Sequence, residues 1–163
     1  MPVTLYAHTA GNGFQAVAVS STDATGNYAF SQAPVNSTYY QVRGGRRSSA
    51  VLFEGVKDLL TASASATTVQ AGQPVTFSGT VSPDKTGHVI YLQRQNASGG
   101  DFHSVAVASV GPGSAYAITK RVYASGTFRV LIPGGPENEG AARPGVAITV
   151  TPVPASAVTP PAG

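Results

Sequence analysis

The chain of 163 residues has no cysteine, no tryptophan and a single methionine, and only 10% of its residues are charged. Without cysteine, it cannot form disulfides, cysteine-ligated zinc sites, iron–sulfur sites or thiol nucleophiles. Its apolar runs are a few residues long, far below the roughly 18 needed to cross a bilayer, so no membrane insertion is predicted. The sequence begins Met-Pro-Val-Thr-Leu-Tyr, without the basic and apolar segments of a signal peptide. Either upstream segments have been removed or the chain never had them.

Charge of either sign is sparse as well. Ten Lys and Arg residues against seven Asp and Glu residues give a net charge of +3. This excess is spread along the chain, whereas nucleic-acid binding requires a clustered basic face, so no nucleic-acid partner is predicted. The apolar share of 42% nevertheless suffices for a globular core.

The apolar residues that are present alternate with a period of two, and no window has the stripe and caps of a helix. The chain is therefore predicted to be all-β. Short segments rich in β-branched and aromatic residues, separated by Gly, Pro, Asn and Asp, predict strands. The predicted strands in the second part of the chain span residues 58–65, 67–70, 75–81, 88–95, 102–110, 114–122, 126–133 and 145–151. Alternation predicts an inner face formed by Val75, Phe77, Val81, Ile90, Leu92, Val105, Val107, Tyr116, Ile118, Phe128 and Val130.

The chain contains an internal repeat. Residues 14–42 align without gaps to residues 102–130, at an offset of 88, with nine identities in 29 positions. The identities fall mainly on strand positions, so the chain carries two copies of one β domain.

The two copies differ in completeness. Residues 57–151 form a complete copy, whereas residues 1–56 have no counterpart of the strands predicted within 58–81. A half-domain of this size exposes an apolar face and a sheet edge. Three explanations remain open: an arbitrary start within a longer array, a reduced sheet covered by the neighbouring domain, or strands donated by another chain. Residues 152–163 are a Pro/Ala/Thr-rich tail that favours extended conformations.

Several segments together resemble the bacterial immunoglobulin-like repeats of actinobacterial secreted and surface proteins, which also occur on phage virions. The resemblance rests on residues 67–83, 89–94, 102–107 and 124–130, and residues 22–30 resemble the family's turn into strand E. It implies two tandem immunoglobulin-like or fibronectin-III-like β-sandwiches, the first lacking its A and B strands. The inter-sheet disulfide of antibody domains is absent, so packing alone must hold the sheets together.

The function that this resemblance implies is non-enzymatic. The chain is expected to be an extracellular or cell-surface module that acts as a spacer, in adhesion or in protein interaction. One alternative is a structural subunit of a virion or filament, assembled through β-strand complementation. Another is a weak carbohydrate-binding accessory module. The expected partners are proteins, through self-association or neighbouring immunoglobulin-like domains, and a cell-surface glycan is a further possibility.

Nothing in the sequence points to catalysis. His8, His88 and His103 do not have metal-binding spacing, and the seven carboxylates are scattered over predicted turns. Among these turns, residues 84–87 have the sequence Asp-Lys-Thr-Gly, a typical turn signature. No serine lies in a nucleophile motif. We therefore predict no catalytic residue, no metal site and no cofactor.

Two loops of opposite charge are candidate interaction sites. The first copy has Arg43, Arg46 and Arg47 after its predicted penultimate strand, and the second copy has Glu137 and Glu139 in the corresponding loop. Two interpretations stay open: solvated loops that have drifted apart, or loops that meet head to tail in a subunit contact. In the second case, replacing both glutamates by lysine should weaken self-association.

Four tyrosines, Tyr6, Tyr39, Tyr91 and Tyr123, are predicted to lie out of phase with the core. Exposed tyrosines can stack on sugars or anchor protein interfaces. Half-covered tyrosines are also ordinary on sheets, so both interpretations stay open.

Overall fold

The computed structural model describes residues 1–155, and the protein is all-β. Within this range no α-helix occurs, and no helix is long and apolar enough to span a membrane. The one helical element is a 3-10 turn at Pro112–Ser114. The chain folds into two compact units, and each is described by itself. The first comprises Met1–Leu60, Val81–Lys85 and Ile132–Ala141, and the second comprises Thr61–Thr80, Thr86–Leu131 and residues 142–155.

The first unit contains an antiparallel sheet of five strands. Their bounds are β1 Pro2–His8, β2 Gln15–Ser21, β3 Thr38–Gly44, β4 Arg47–Ser48 and β5 Leu52–Glu54. The order is β2-β1-β3-β4, and β5 also pairs with β3. Val3 and Leu5 of β1 are buried. Side chains opposite Leu5 in the register, Ala18 and Val42, share its inner face.

The later part of the chain, up to residue 155, forms ten further strands. They are β6 Leu59–Leu60, β7 Ser63–Ala64, β8 Thr68–Gln70, β9 Gln73–Ser82, β10 Val89–Gln95, β11 Phe102–Ser109, β12 Ala115–Val122, β13 Gly126–Ile132, β14 Ala141–Ala142 and β15 Val146–Thr151. One sheet has the order β11-β10-β13-β15-β8, with β14 beside β13. The other has the order β12-β9-β6, with β7 also paired to β9. The β15–β8 pair is parallel.

The core of the second unit lies between its two sheets. Phe77 of β9 contacts Phe128 of β13, with ring centroids 5.7 Å apart. Most of the predicted inner-face residues are buried, which confirms that part of the alternation: Val75, Phe77, Val81, Ile90, Leu92, Tyr116, Ile118, Phe128 and Val130. Aliphatic and aromatic packing therefore holds the sheets together without any disulfide.

For β11, the prediction that Val105 and Val107 both point to the inner face was wrong. Val107 is 62% exposed, and Val105 is only half-buried. The cause is a β-bulge: Leu92 pairs with Ala106 but the next residue, Gln93, pairs with Ser104. An extra residue on one strand shifts the side chains beyond it to the other face. As a result, Ala106 lies on the inner face and Val107 points outward.

The same bulge occurs at the same place in the first unit. Leu5 pairs with Ala18, whereas Tyr6 pairs with Ala16. The four residues correspond in the repeat to Leu92, Ala106, Gln93 and Ser104. The strands β2-β1-β3-β5 thus follow the same order as β11-β10-β13-β15 and carry a bulge at the matching position.

The predicted strand boundaries of the second copy agree with the structure within a few residues, except that residues 58–65 form two short strands, β6 and β7. One strand of the first copy does not form, however. Residues 22–37, which include the counterpart of β12 at 27–34, are assigned to no strand. In the second copy β12 pairs with β9. Since the first copy has no counterpart of β9, the segment lacks the partner that would make it a strand. Of the predicted tail at 152–163, residues 156–163 lie outside the described residues.

Candidate interaction surfaces of the first unit

The inner face of the first sheet borders an apolar groove of about 600 Å³. Its floor consists of Leu5, Tyr40, Val42 and Leu52. Tyr40 pairs with Leu52 across β3 and β5, so both side chains point into the groove. Leu52 is 63% exposed, which is unusual for a leucine on the core-facing side of a sheet.

The segment 22–37 forms one wall of this groove. Its residues Tyr28 and Phe30 line the groove, and their ring centroids are 6.0 Å apart. A tight turn fixes the start of the segment: the Asp23 carboxylate accepts hydrogen bonds from the Thr25 hydroxyl at 2.8 Å and from the Asn27 amide at 2.8 Å. These bonds, that from Thr25 foremost, lower the pKa of Asp23 because they stabilise its charged form. The wall is thus a segment that is anchored at its start and lies beside an apolar floor.

The outer face of the same sheet carries an aromatic band, defined here as Tyr6, His8, Phe14, Tyr39 and Phe53. The ring centroids of Tyr39 and Phe53 are 4.7 Å apart, those of His8 and Tyr39 5.7 Å, and those of His8 and Phe14 5.4 Å. Tyr39 and Phe53 are each nearly half exposed. The band therefore offers a partly solvated aromatic surface opposite the groove.

Arg43 extends this band with a positive charge. Its guanidinium carbon lies 4.3 Å from the centroid of the Tyr6 ring and 5.6 Å from that of Phe14. Its Nε also donates to the Gln41 side chain at 3.0 Å. Such a cation over a ring face is held by the ring quadrupole. Three of the predicted interaction residues, Arg43, Tyr6 and Tyr39, thus come together on one face.

The other predicted residues lie elsewhere. Arg46 and Arg47 are exposed at the tip of the β3–β4 hairpin. Tyr91 and Tyr123 belong to the second unit, where Tyr91 lies on β10 and Tyr123 is 69% exposed after β12. The predicted tyrosines therefore do not form one common site.

Backbone hydrogen bonds to neighbouring segments and one ion pair hold the acidic loop around Glu137 and Glu139 in place. The Ser37 amide donates to the Glu137 carbonyl at 2.7 Å, and the Glu139 amide donates to the Val56 carbonyl at 2.8 Å. A Glu137 side-chain oxygen lies 3.4 Å from Lys85 Nζ. Since Glu137→Lys would place two cations together, reversing Arg46 and Arg47 is the cleaner way to probe the oppositely charged loops.

His8, Phe14 and Phe53 belong to the aromatic band but were not among the interaction residues predicted from the sequence. Side chains two positions apart on a strand point to the same face, so His8 could have been placed beside Tyr6 from the sequence alone. Phe53 was harder to find, because its position opposite Tyr39 depends on the register of a three-residue strand.

The histidines and carboxylates do not form a metal centre in the described part of the chain, where no group of three or more such side chains could hold an ion. His103 Nδ1 lies 2.8 Å from the Asn96 side-chain oxygen. Comparison with protein-family models matched no family, and comparison with curated proteins found no similar sequence.

Proposed function

We propose that the chain is a non-enzymatic structural or adhesive module of immunoglobulin-like repeats from a cell-surface or secreted protein. The strand order of the second unit supports this proposal. Its strands follow the order expected of an immunoglobulin-like sandwich, with β9 and β12 in one sheet and β10, β13 and β15 in the other. In this scheme β6 and β7 supply the first strand on one sheet, and β8 continues it beside β15 on the other.

The observation that carries the proposal is the open groove of the first unit. In the second unit the corresponding face is covered by β9 and β12, whose Phe77 packs on Phe128. The first unit has the same sheet and bulge, but its Leu52 stays largely exposed. An exposed apolar face on an otherwise well-formed sheet is typical of a protein-interaction site. The first repeat is therefore the interaction module.

Strand complementation is the form of interaction that the groove favours, and it supports the alternative of a virion or filament subunit. Residues 27–34 correspond to the stretch of β12 that pairs with β9, and they are assigned to no strand. An incoming strand with alternating apolar residues, as in β9, would find both a backbone partner and an apolar floor. A second copy of this chain could supply such a strand only by exchange, because its own β9 is paired with β12.

Light scattering on the purified chain tests this proposal through Leu52→Asp. If the groove mediates self-association, the wild type forms oligomers, and a buried unpaired carboxylate weakens their association at least about tenfold. The matched control is Val19→Asp, because Val19 is 72% exposed and lies opposite Thr4 on the outer face. The control should associate like the wild type.

The other outcomes of this experiment distinguish an assembly subunit from a spacer or adhesion module. A wild type that stays monomeric contradicts the assembly subunit and leaves the spacer or heterologous adhesion module. Oligomers that dissociate equally in both variants contradict the groove as the contact. Oligomers that persist in both variants but disappear on reversing Arg46 and Arg47 would place the contact at the charged loops.

Glycan binding is the second alternative, and the aromatic band supports it. Tyr39 and Phe53 present adjacent, partly exposed rings of the kind that stack on sugar faces. A glycan array should then give a signal that Tyr39→Ala removes and Tyr123→Ala retains. An array without signal contradicts this alternative.

A further inference from the structure

A buried cluster of three polar side chains lies in the first unit, apart from both surfaces described above. Lys85, Asp58 and Asn138 are only 3%, 4% and 1% exposed. Lys85 Nζ donates to Asn138 Oδ1 at 3.0 Å and lies 3.5 Å from Asp58 Oδ1. An amine, a carboxylate and a carboxamide are thus held together away from water.

The backbone around the cluster fixes the orientation of the carboxamide. Asn138 Nδ2 donates to the Val35 carbonyl at 2.9 Å, so its oxygen is directed at the lysine. The Asp58 amide donates to the carbonyl of Glu139, the neighbour of Asn138, at 2.9 Å. Because the amine and the carboxamide are already held in contact and desolvated, bringing them together costs little further entropy.

We propose that Lys85 and Asn138 form an intramolecular amide crosslink, with Asp58 as the proton carrier. Asp58 takes a proton from the Lys85 ammonium, which frees the nitrogen lone pair to attack the Asn138 side-chain carbonyl carbon. The Nζ–Cγ bond forms and the Cγ–Nδ2 bond breaks. One amine hydrogen stays on the new amide, a second leaves with Nδ2 as ammonia, and the third remains on Asp58, whose carboxyl group is then neutral. The step consumes no oxidant, reductant or other reactant.

Two features of the molecule fit this reaction. The product is neutral, so it removes a buried ammonium whose desolvation is costly. It also links residues 53 positions apart in a chain without cysteine, and so constrains the unfolded chain as a disulfide would. The near-complete burial of Asn138 excludes the water that would otherwise compete for its carbonyl carbon.

Intact mass spectrometry of the full chain tests the proposal. After incubation at neutral pH, the expected mass is below the sequence mass by one ammonia, about 17 Da. Protease digestion should yield one branched peptide that joins the segments containing Lys85 and Asn138. A wild-type chain that keeps its full sequence mass overturns the proposal.

Two variants distinguish the crosslink from other losses of ammonia. Lys85→Arg keeps the positive charge but removes the nucleophile, so it should restore the full mass. If it still loses ammonia, the loss comes from an asparagine that has cyclised on its own backbone, and the proposal is wrong. Asn138→Ala should also keep its full mass.

The role of Asp58 is tested by comparison with Glu137, whose carboxylate also contacts Lys85 but is half exposed. Asp58→Asn should slow crosslinking at least about a hundredfold, whereas Glu137→Gln should crosslink like the wild type. Circular dichroism checks that each variant is folded. A folded Asp58→Asn variant that crosslinks at the wild-type rate overturns the assignment of Asp58.

Discussion

At the residue scale, the Tyr116 side chain is both a part of the core and a titratable group. The ring is buried in the second unit, and its hydroxyl donates to the Thr61 carbonyl at 2.6 Å. Burial raises the pKa of Tyr116 from 10.0 to about 12, and the positive charge of Arg143 opposes this rise only in part. The folded chain therefore keeps a proton that the unfolded chain releases near pH 10. Stability from this residue is present below pH 10 and is lost as the pH rises towards about 12.

Denaturant unfolding at pH 8 and at pH 11 should show this loss. Tyr116→Phe should lower the free energy of unfolding by about 1 to 3 kcal/mol at pH 8, because the Thr61 carbonyl loses its partner. Between pH 8 and pH 11 it should then lose less stability than the wild type. Tyr123→Phe, at a 69% exposed site, serves as the control and should follow the wild type. Parallel pH profiles for the wild type and Tyr116→Phe would contradict the assignment.

Lys85 shows what a turn signature can and cannot predict. Residues 84–87 read as a turn, and Gly87 does adopt a positive φ of 87°, as such a turn requires. The signature contains no information about Lys85, which is buried because Asp58 and Asn138 reach it from distant parts of the sequence. Contacts of this kind depend on how loops meet, and local spacing does not encode that.

At the element scale, the sequence predicted strands well where each strand has its partner in the same copy. Alternation located β9, β10, β12 and β13, because their inner residues face a second sheet. It failed at Val107, where the bulge after Leu92 shifts the phase by one residue. Local patterns do not reveal a bulge, although the repeat, once its structure is known, shows one in both copies.

Residues 22–37 illustrate the opposite case, in which a strand-like sequence does not form a strand. Tyr28 and Ala29 are identical to Tyr116 and Ala117 of β12. Strand formation nevertheless depends on a hydrogen-bonding partner as well as on propensity, and the counterpart of β9 is absent from the first copy. The repeat therefore indicated that the first copy lacks strands, though not that this segment would consequently be assigned to no strand.

At the scale of the whole molecule, the inner faces of the two repeated sheets are buried to different extents. The second unit has a core between two sheets, whereas the sheet of the first unit borders an open groove. The aromatic band adds partly exposed rings on the other side of that same sheet. Stability should consequently differ along the chain, since local opening is easiest where few apolar groups are buried.

Amide hydrogen exchange should reveal this difference directly. Residues 115–122 are bonded to β9, whereas residues 27–34 are assigned to no strand, so the amides of residues 27–34 should exchange at least about a hundredfold faster. If strand complementation occurs, raising the chain concentration should slow exchange at residues 27–34 and leave residues 115–122 unchanged. Leu52→Asp should abolish that concentration dependence, and Val19→Asp should preserve it. Equal protection of the two segments in a dilute, monomeric sample would contradict an open first repeat, because it would mean that residues 27–34 are already paired within the chain.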